Sequence, residues 1–147
     1  MREALVEAGP AGEAGQLPIG AVVVLDGEVV SRGQNRYLER RSQLAHAKLE
    51  ALLGGGDAVW TRPEDCILYT TVEPCPMCLG AAVMADVPHI VFAAHDRGLA
   101  IGTTLIDASP YLQSHVKTLE GGVLEQESLA LIARYDEQLL AFLTGSA

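Results

Sequence analysis

Cys75 and Cys78 stand in Pro74-Cys75-Pro76-Met77-Cys78, and His46 lies upstream of them. A Cys-x-x-Cys pair lets two thiolates reach one ion from a single loop-to-helix turn, and thiolate with imidazole is a donor set that zinc prefers. Residues 66–72 are strand-like and residues 79–85 are helix-like. The pair is therefore expected at a helix N-terminus, where free N–H groups and the helix dipole favour thiolate. His46 opens a second helical stretch over residues 45–53, ended by Gly54-Gly55-Gly56. A structural zinc site is closed by four protein ligands, whereas three leave a position for water. The same residues allow a redox Cys-x-x-Cys, or a buried pair unrelated to the histidine. A redox pair is expected beside a thioredoxin-like βαβ pattern. Here the pair follows Glu73-Pro74 and answers a helix-opening histidine. The expected cofactor is one Zn2+ per chain on His46, Cys75 and Cys78.

The elements that must position these residues alternate. Residues 2–8 can form a short helix, broken by Gly9-Pro10-Ala11-Gly12. Residues 19–25 read as a buried strand, Asp26-Gly27 as a two-residue hairpin turn and residues 28–31 as the return strand. Residues 33–44 read as a loop carrying Asn35, and a second loop runs from the glycines through Trp60 and Pro63. Residues 89–94 and 115–119 read as strands, and residues 96–111 as irregular with one turn of helix. Residues 125–143 read as one helix with Leu129, Ile132, Leu139 and Leu143 near one face. Strands alternating with helices imply an α/β fold.

The chain has 147 residues, 49% of them hydrophobic, which fits one domain over residues 1–147 with a core of its own. Three cysteines are an odd number. With two of them as ligands, Cys66 is expected as a small buried residue, and the absence of a disulfide framework fits a reducing cytoplasm. No signal-like start or membrane-length apolar run is visible; residues 79–94 are interrupted by Asp86, Pro88 and His89. Ten basic against 19 acidic residues give a net charge of −9. That disfavours nucleic acid as the main partner, because phosphate contacts need clustered Lys and Arg. Arg36, Arg40 and Arg41 form a small basic cluster, so an RNA loop stays open as a weaker reading.

A histidine followed downstream by Pro-Cys-x-x-Cys is part of the zinc-deaminase signature. The residues that match are Pro18 to Val24, Asp26-Gly27, Gly33-Gln34-Asn35-Arg36, His46-Ala47 and Val72 to Ala81. On these the chain resembles the cytidine and deoxycytidylate deaminase superfamily. It looks most like the branch holding tRNA adenosine deaminases and guanine deaminases, over about residues 17–142. The resemblance implies a three-layer α/β/α sandwich with a central five-stranded mixed sheet, a homodimer, and hydrolytic release of ammonia from an amino-bearing nucleobase, nucleoside or related heterocycle. It also implies substrate contacts from Asn35, from backbone groups of Ala47 and Cys75, and from the Pro74 carbonyl. Asp96, at a strand end where α/β sites collect polar residues, joins them. Glu73 is expected behind the ligands as a hydrogen-bond partner. Trp60, Tyr111, Tyr135 and Phe142 are expected mainly in the core, with Phe142 a pocket candidate.

In this family a glutamate two residues after the histidine moves protons from water to the ring nitrogen and on to the departing ammonia. Lys48 occupies that position. An ammonium has no lone pair to accept a proton. It also adds positive charge beside a dication, and even two unit charges at 4 Å repel by about 4 kcal/mol at an effective dielectric of 20. Lys48 has three ways out. It can swing toward Glu73 or Glu50, lose its proton on burial, or place a neutral amine on the open zinc position. Glu50 is a poor substitute, one helical turn further from the metal. Three readings follow: a deaminase scaffold disabled at Lys48, a tRNA adenosine deaminase, and a non-catalytic zinc protein that binds a ligand or partner subunit.

Overall fold

The computed structural model describes residues 1–99 and 102–146. Its sheet contains β1 (Gly20–Leu25), β2 (Glu28–Gln34), β3 (Ile67–Val72), β4 (His89–Ala94) and β5 (Thr118–Glu120), in the order β2-β1-β3-β4-β5. Pairing is antiparallel from β2 to β1 and from β1 to β3, and parallel from β3 to β4 and from β4 to β5. The hairpin turn has Asp26 at φ 53° and Gly27 at φ 80°, as a tight turn with both central residues left-handed requires. The described helices are α1 (Arg2–Glu13), α2 (Ala47–Gly54), α3 (Gly56–Thr61), α4 (Pro76–Met84), α5 (Gly102–Ala108), α6 (Pro110–His115), α7 (Glu125–Tyr135) and α8 (Glu137–Thr144).

The buried core falls into two clusters. In one, Ala21, Val23, Leu68 and Ile90 of the sheet pack with Ala47, Ala51 and Leu52 of α2 and Leu79 and Ala82 of α4. In the other, Val72 and Ala94, at the ends of β3 and β4, meet Ile132 and Leu143, with Leu129 and Leu139 beside them. The helices sit directly on the backbone at two glycines. A Cβ on Gly20 would lie 2.2 Å from the Ala4 carbonyl oxygen, and one on Gly33 2.1 Å from that of Ala47. The second contact seats the first turn of α2, where the candidate ligand His46 begins. No helix among the described residues is long and apolar enough to cross a membrane.

The expected layers and strands are present, but several local readings change. α1 does not stop at Gly9; it continues through Pro10 to Glu13. Ala4, Ala8, Ala11 and Gly12 form a small buried face, and burying it outweighs the hydrogen bond that Pro10 cannot make. β2 extends to Gln34, because pairing Gly20 with Gln34 carries the hairpin into the expected loop. Residues 56–61 and, within the stretch 96–111 expected to be irregular, residues 102–108 and 110–111 are helical; residues 100 and 101 of that stretch lie outside the described residues. α6, capped by Ser109, also takes in His115, so the strand expected over residues 115–119 is confined to Thr118–Glu120. The long C-terminal helix breaks at Asp136, whose carboxylate caps α8 by accepting the Leu139 N–H at 2.8 Å. Trp60 is 85% exposed and Tyr111 53% exposed, so neither belongs to the core.

Candidate zinc centre

The N-termini of α2 and α4 meet behind the sheet. His46 precedes α2 in extended conformation (φ −83°, ψ 145°), and Cys75 holds the same position before α4, with Pro76 as the first helical residue. Hydrogen bonds from Asn35 N–H to Ile19 O (3.0 Å) and from Arg36 N–H to Ala45 O (3.0 Å) fix the chain as it enters α2. His46 Nδ1 then lies 3.4 Å from Cys78 Sγ and 3.6 Å from Cys75 Sγ. The three donor atoms all fall within 4.8 Å of one another. Tetrahedral zinc with usual Zn–N and Zn–S bonds needs about 3.6 Å between nitrogen and sulfur. The donor set fits zinc in type and in spacing.

The two sulfurs are coupled to each other by hydrogen bonding. The Cys75 thiol is held down to about 3, first by the hydrogen bond with Cys78 and then by His46, against the cost of burial. The Cys78 thiol is pushed up by Cys75 and by burial. The Cys78 backbone N–H supports the Cys75 sulfur, and that of Leu49 supports the Cys78 sulfur. A divalent cation is the species that lets both sulfurs carry charge.

Lys48, in the first turn of α2, is only 4% exposed. Burial lowers its pKa, while the charges of Cys78, Cys75, Asp96 and Glu73, in that order, oppose the shift. The side chain therefore points inward among the thiols. It does not swing toward Glu50, whose carboxylate pairs with Arg40 at 2.8 Å, and among the described residues it forms no ion pair with Glu73.

Around the centre the expected residues gather in part. Pro74 and Ala47 are buried beside the ligands. Asn35 is 2% exposed, and its Oδ1 accepts the Tyr37 N–H at 3.3 Å, a turn-capping contact. Asp96 lies across from Glu73: its N–H donates to Glu73 Oε2 at 2.9 Å and its Oδ1 accepts from Leu99 N–H at 2.9 Å. Glu73 is thus a tie between loops and not a solvated carboxylate. Cys66 is buried, its thiol directed at the Arg62 carbonyl (3.4 Å) and pushed up by burial. Sequence reasoning missed the pairing of His95 with Glu125 (2.9 Å), since the two stand 30 positions apart and no local pattern signals it.

Fold and centre together define a zinc-dependent deaminase architecture, and comparison with known proteins agrees. Residues 1–94 match the cytidine and deoxycytidylate deaminase zinc-binding region, and the chain belongs to that family. It is 39% identical to a tRNA-specific adenosine deaminase of Bacillus subtilis (strain 168) over 142 residues, 95% of this chain and 88% of that one. A solved structure from a study of A-to-I editing by tRNA:A34 deaminases at the wobble position of transfer RNA is 34% identical, with a TM-score of 0.77 over 89% of this chain and 96% of that chain. A guanine deaminase structure from Bacillus subtilis is also 34% identical, with a TM-score of 0.58 over 74% and 66%.

Proposed function

We propose that this chain is a hydrolytic deaminase scaffold for an amino-bearing nucleobase, nucleoside or related heterocycle, with its proton shuttle disabled by Lys48. The observation that supports this best is the inward, buried position of Lys48 in the first turn of α2, beside the thiols of Cys75 and Cys78. Zinc, when bound by His46, Cys75 and Cys78, supplies Lewis acidity and an acidified water. The rest of the work falls to this chain. Asn35, the backbone of Ala47 and Cys75, and Asp96 orient the ring, and the Pro74 carbonyl receives the leaving amine. At position 48 a carboxylate would take a proton and return it; an ammonium has no lone pair with which to accept one. Loss of a general acid-base costs roughly 10²- to 10⁴-fold in rate.

A second reading, a tRNA adenosine deaminase, is favoured by the 39% identity to the Bacillus subtilis protein. The surface argues for a small substrate. Two of the three clustered arginines are neutralised by neighbours, Arg36 by Glu39 (3.1 Å) and Arg40 by Glu50 (2.8 Å). Exposed Leu53, Trp60 and Met84 around a cavity of about 430 Å³ support assembly into a homodimer. Ammonia release by a zinc-loaded Lys48→Glu variant, on amino-bases and nucleosides, tests the main reading. Binding of an anticodon stem-loop tests the second. Tight ligand binding without recoverable chemistry would leave a non-catalytic zinc protein.

A further inference from the structure

Two charged side chains are buried among the described residues: Lys48, 4% exposed, and Asp96, 8% exposed. They are opposite in sign, and the Asp96 charge bears on Lys48, yet among the described residues no ion pair joins them. The acceptors nearby are engaged elsewhere. Asp96 Oδ1 accepts the Leu99 N–H at 2.9 Å, and Glu73 Oε2 accepts the Asp96 N–H at 2.9 Å. Glu50 pairs with Arg40 at 2.8 Å. Arg32, Arg36, Arg40 and Arg62 lie at the surface, and each is paired with a carboxylate. Lys48 is buried and has no such partner.

A buried cation without an acceptor is costly, so the site gains when a ligand supplies one. The inventory of the lysine decides which ligand can. Its amine presents hydrogens, whereas a carboxylate in its place would present lone pairs. Lys48 stands two residues after His46, in the first turn of α2, with Cys75 and Cys78 on one side and Asp96 and Glu73 on the other. A ring held at this centre meets donors there. In adenine, guanine and cytosine, a ring nitrogen beside the amino-bearing carbon offers a lone pair. Once oxygen has replaced the amino group, that nitrogen carries a hydrogen. Donor then faces donor, and the lysine stays unsatisfied.

We propose that Lys48 makes this centre a binding site selective for the amino form of a ring over its deaminated, oxo form, by donating to the ring nitrogen that only the amino form leaves free. The placement of the ring rests on the deaminase reading above. The preference itself rests on the unpartnered lysine. Such a chain holds an amino-bearing ring without consuming it and discriminates against the product of the reaction that its scaffold would otherwise perform.

The test is calorimetric titration of the zinc-loaded parent with matched pairs: adenosine and inosine, guanosine and xanthosine, cytidine and uridine, and the corresponding free bases. At least one amino form is expected to bind about 10-fold or more tightly than its oxo form. Lys48→Met keeps an unbranched apolar stem, removes the donors and should erase the preference. Equal affinity within every pair, no binding of either form with zinc present, or a preference that survives in Lys48→Met would overturn the proposal. The comparison within the parent stands even where the variant does not fold. Ammonia release by Lys48→Glu reports on the deaminase reading separately. Turnover there, with no preference in the parent, sinks the lysine proposal alone. A preference in the parent, with no turnover in Lys48→Glu, sinks the deaminase reading alone.

Discussion

Glu73 and Asp96 join two loops that lie 23 residues apart: the Asp96 N–H donates to Glu73 Oε2 at 2.9 Å. The other carboxylate oxygen of Glu73 lies so close to the start of α5 that a Cβ on Gly102 would come within 2.6 Å of it. Glu73 therefore sets the spacing between the Cys75 loop, the end of β4 and the beginning of α5.

Glu73→Ala leaves the Asp96 N–H without its charged acceptor and is expected to cost about 1–3 kcal/mol. Glu73→Gln keeps an acceptor and should lose less. Urea denaturation of the two variants measures the difference. Equal loss in both would mean that the bond does not hold the loop.

Gly33→Ala drives a methyl group into the Ala47 carbonyl, at 2.1 Å, in the turn that presents His46. A cost of about 1–3 kcal/mol is expected, together with weaker zinc binding. Gly80→Ala, in the interior of α4, is the control, because nothing lies within 4 Å of a Cβ placed there. In a helix interior it should stabilise by about 0.5–1 kcal/mol. Thermal melts and metal analysis of both variants check this, and a fully stable Gly33→Ala protein would contradict the close packing.

Zinc content should be one per chain in the parent and near zero in His46→Ala. Lys48→Glu replaces a cation beside the dication with an anion and should bind zinc more tightly than the parent. Competition with a chromophoric chelator measures both. Equal affinity of parent and Lys48→Glu would show that the lysine charge is not felt at the centre.

The hydrogen bond from the His95 side chain, and then that from its backbone N–H, hold the Glu125 carboxyl below its usual range. A depressed carboxylate stabilises the fold above its unfolded pKa, near 4.3, and loses that contribution as pH falls through its folded value. The melting temperature of Glu125→Gln should therefore lie below that of the parent at pH 7, and the gap should close as pH falls below about 4. A gap independent of pH would rule out the charge as its source.

The ligand set was legible because metal chemistry imposes it locally. Cys75 and Cys78 are fixed by their spacing, and a histidine at a helix start is a readable signal. The strands were legible from apolar runs and from the Asp26-Gly27 turn. Boundaries failed where packing outweighed local preference. Pro10 sits inside α1 because Ala8, Ala11 and Gly12 bury a continuous face. Asp136 divides α7 from α8 because its side chain bonds the backbone of the next helix. The Glu73 tie and the His95–Glu125 pair depend on long-range register, which no local pattern carries.

The central claim is that position 48 alone separates this chain from chemistry. Ammonia release from a panel of amino-bases, nucleosides and their monophosphates, by parent and Lys48→Glu side by side with one zinc in each, tests it most directly. The account predicts turnover in Lys48→Glu and a parent slower by at least roughly 10²-fold. A parent as fast as the variant, or silence in both with zinc bound, would contradict it.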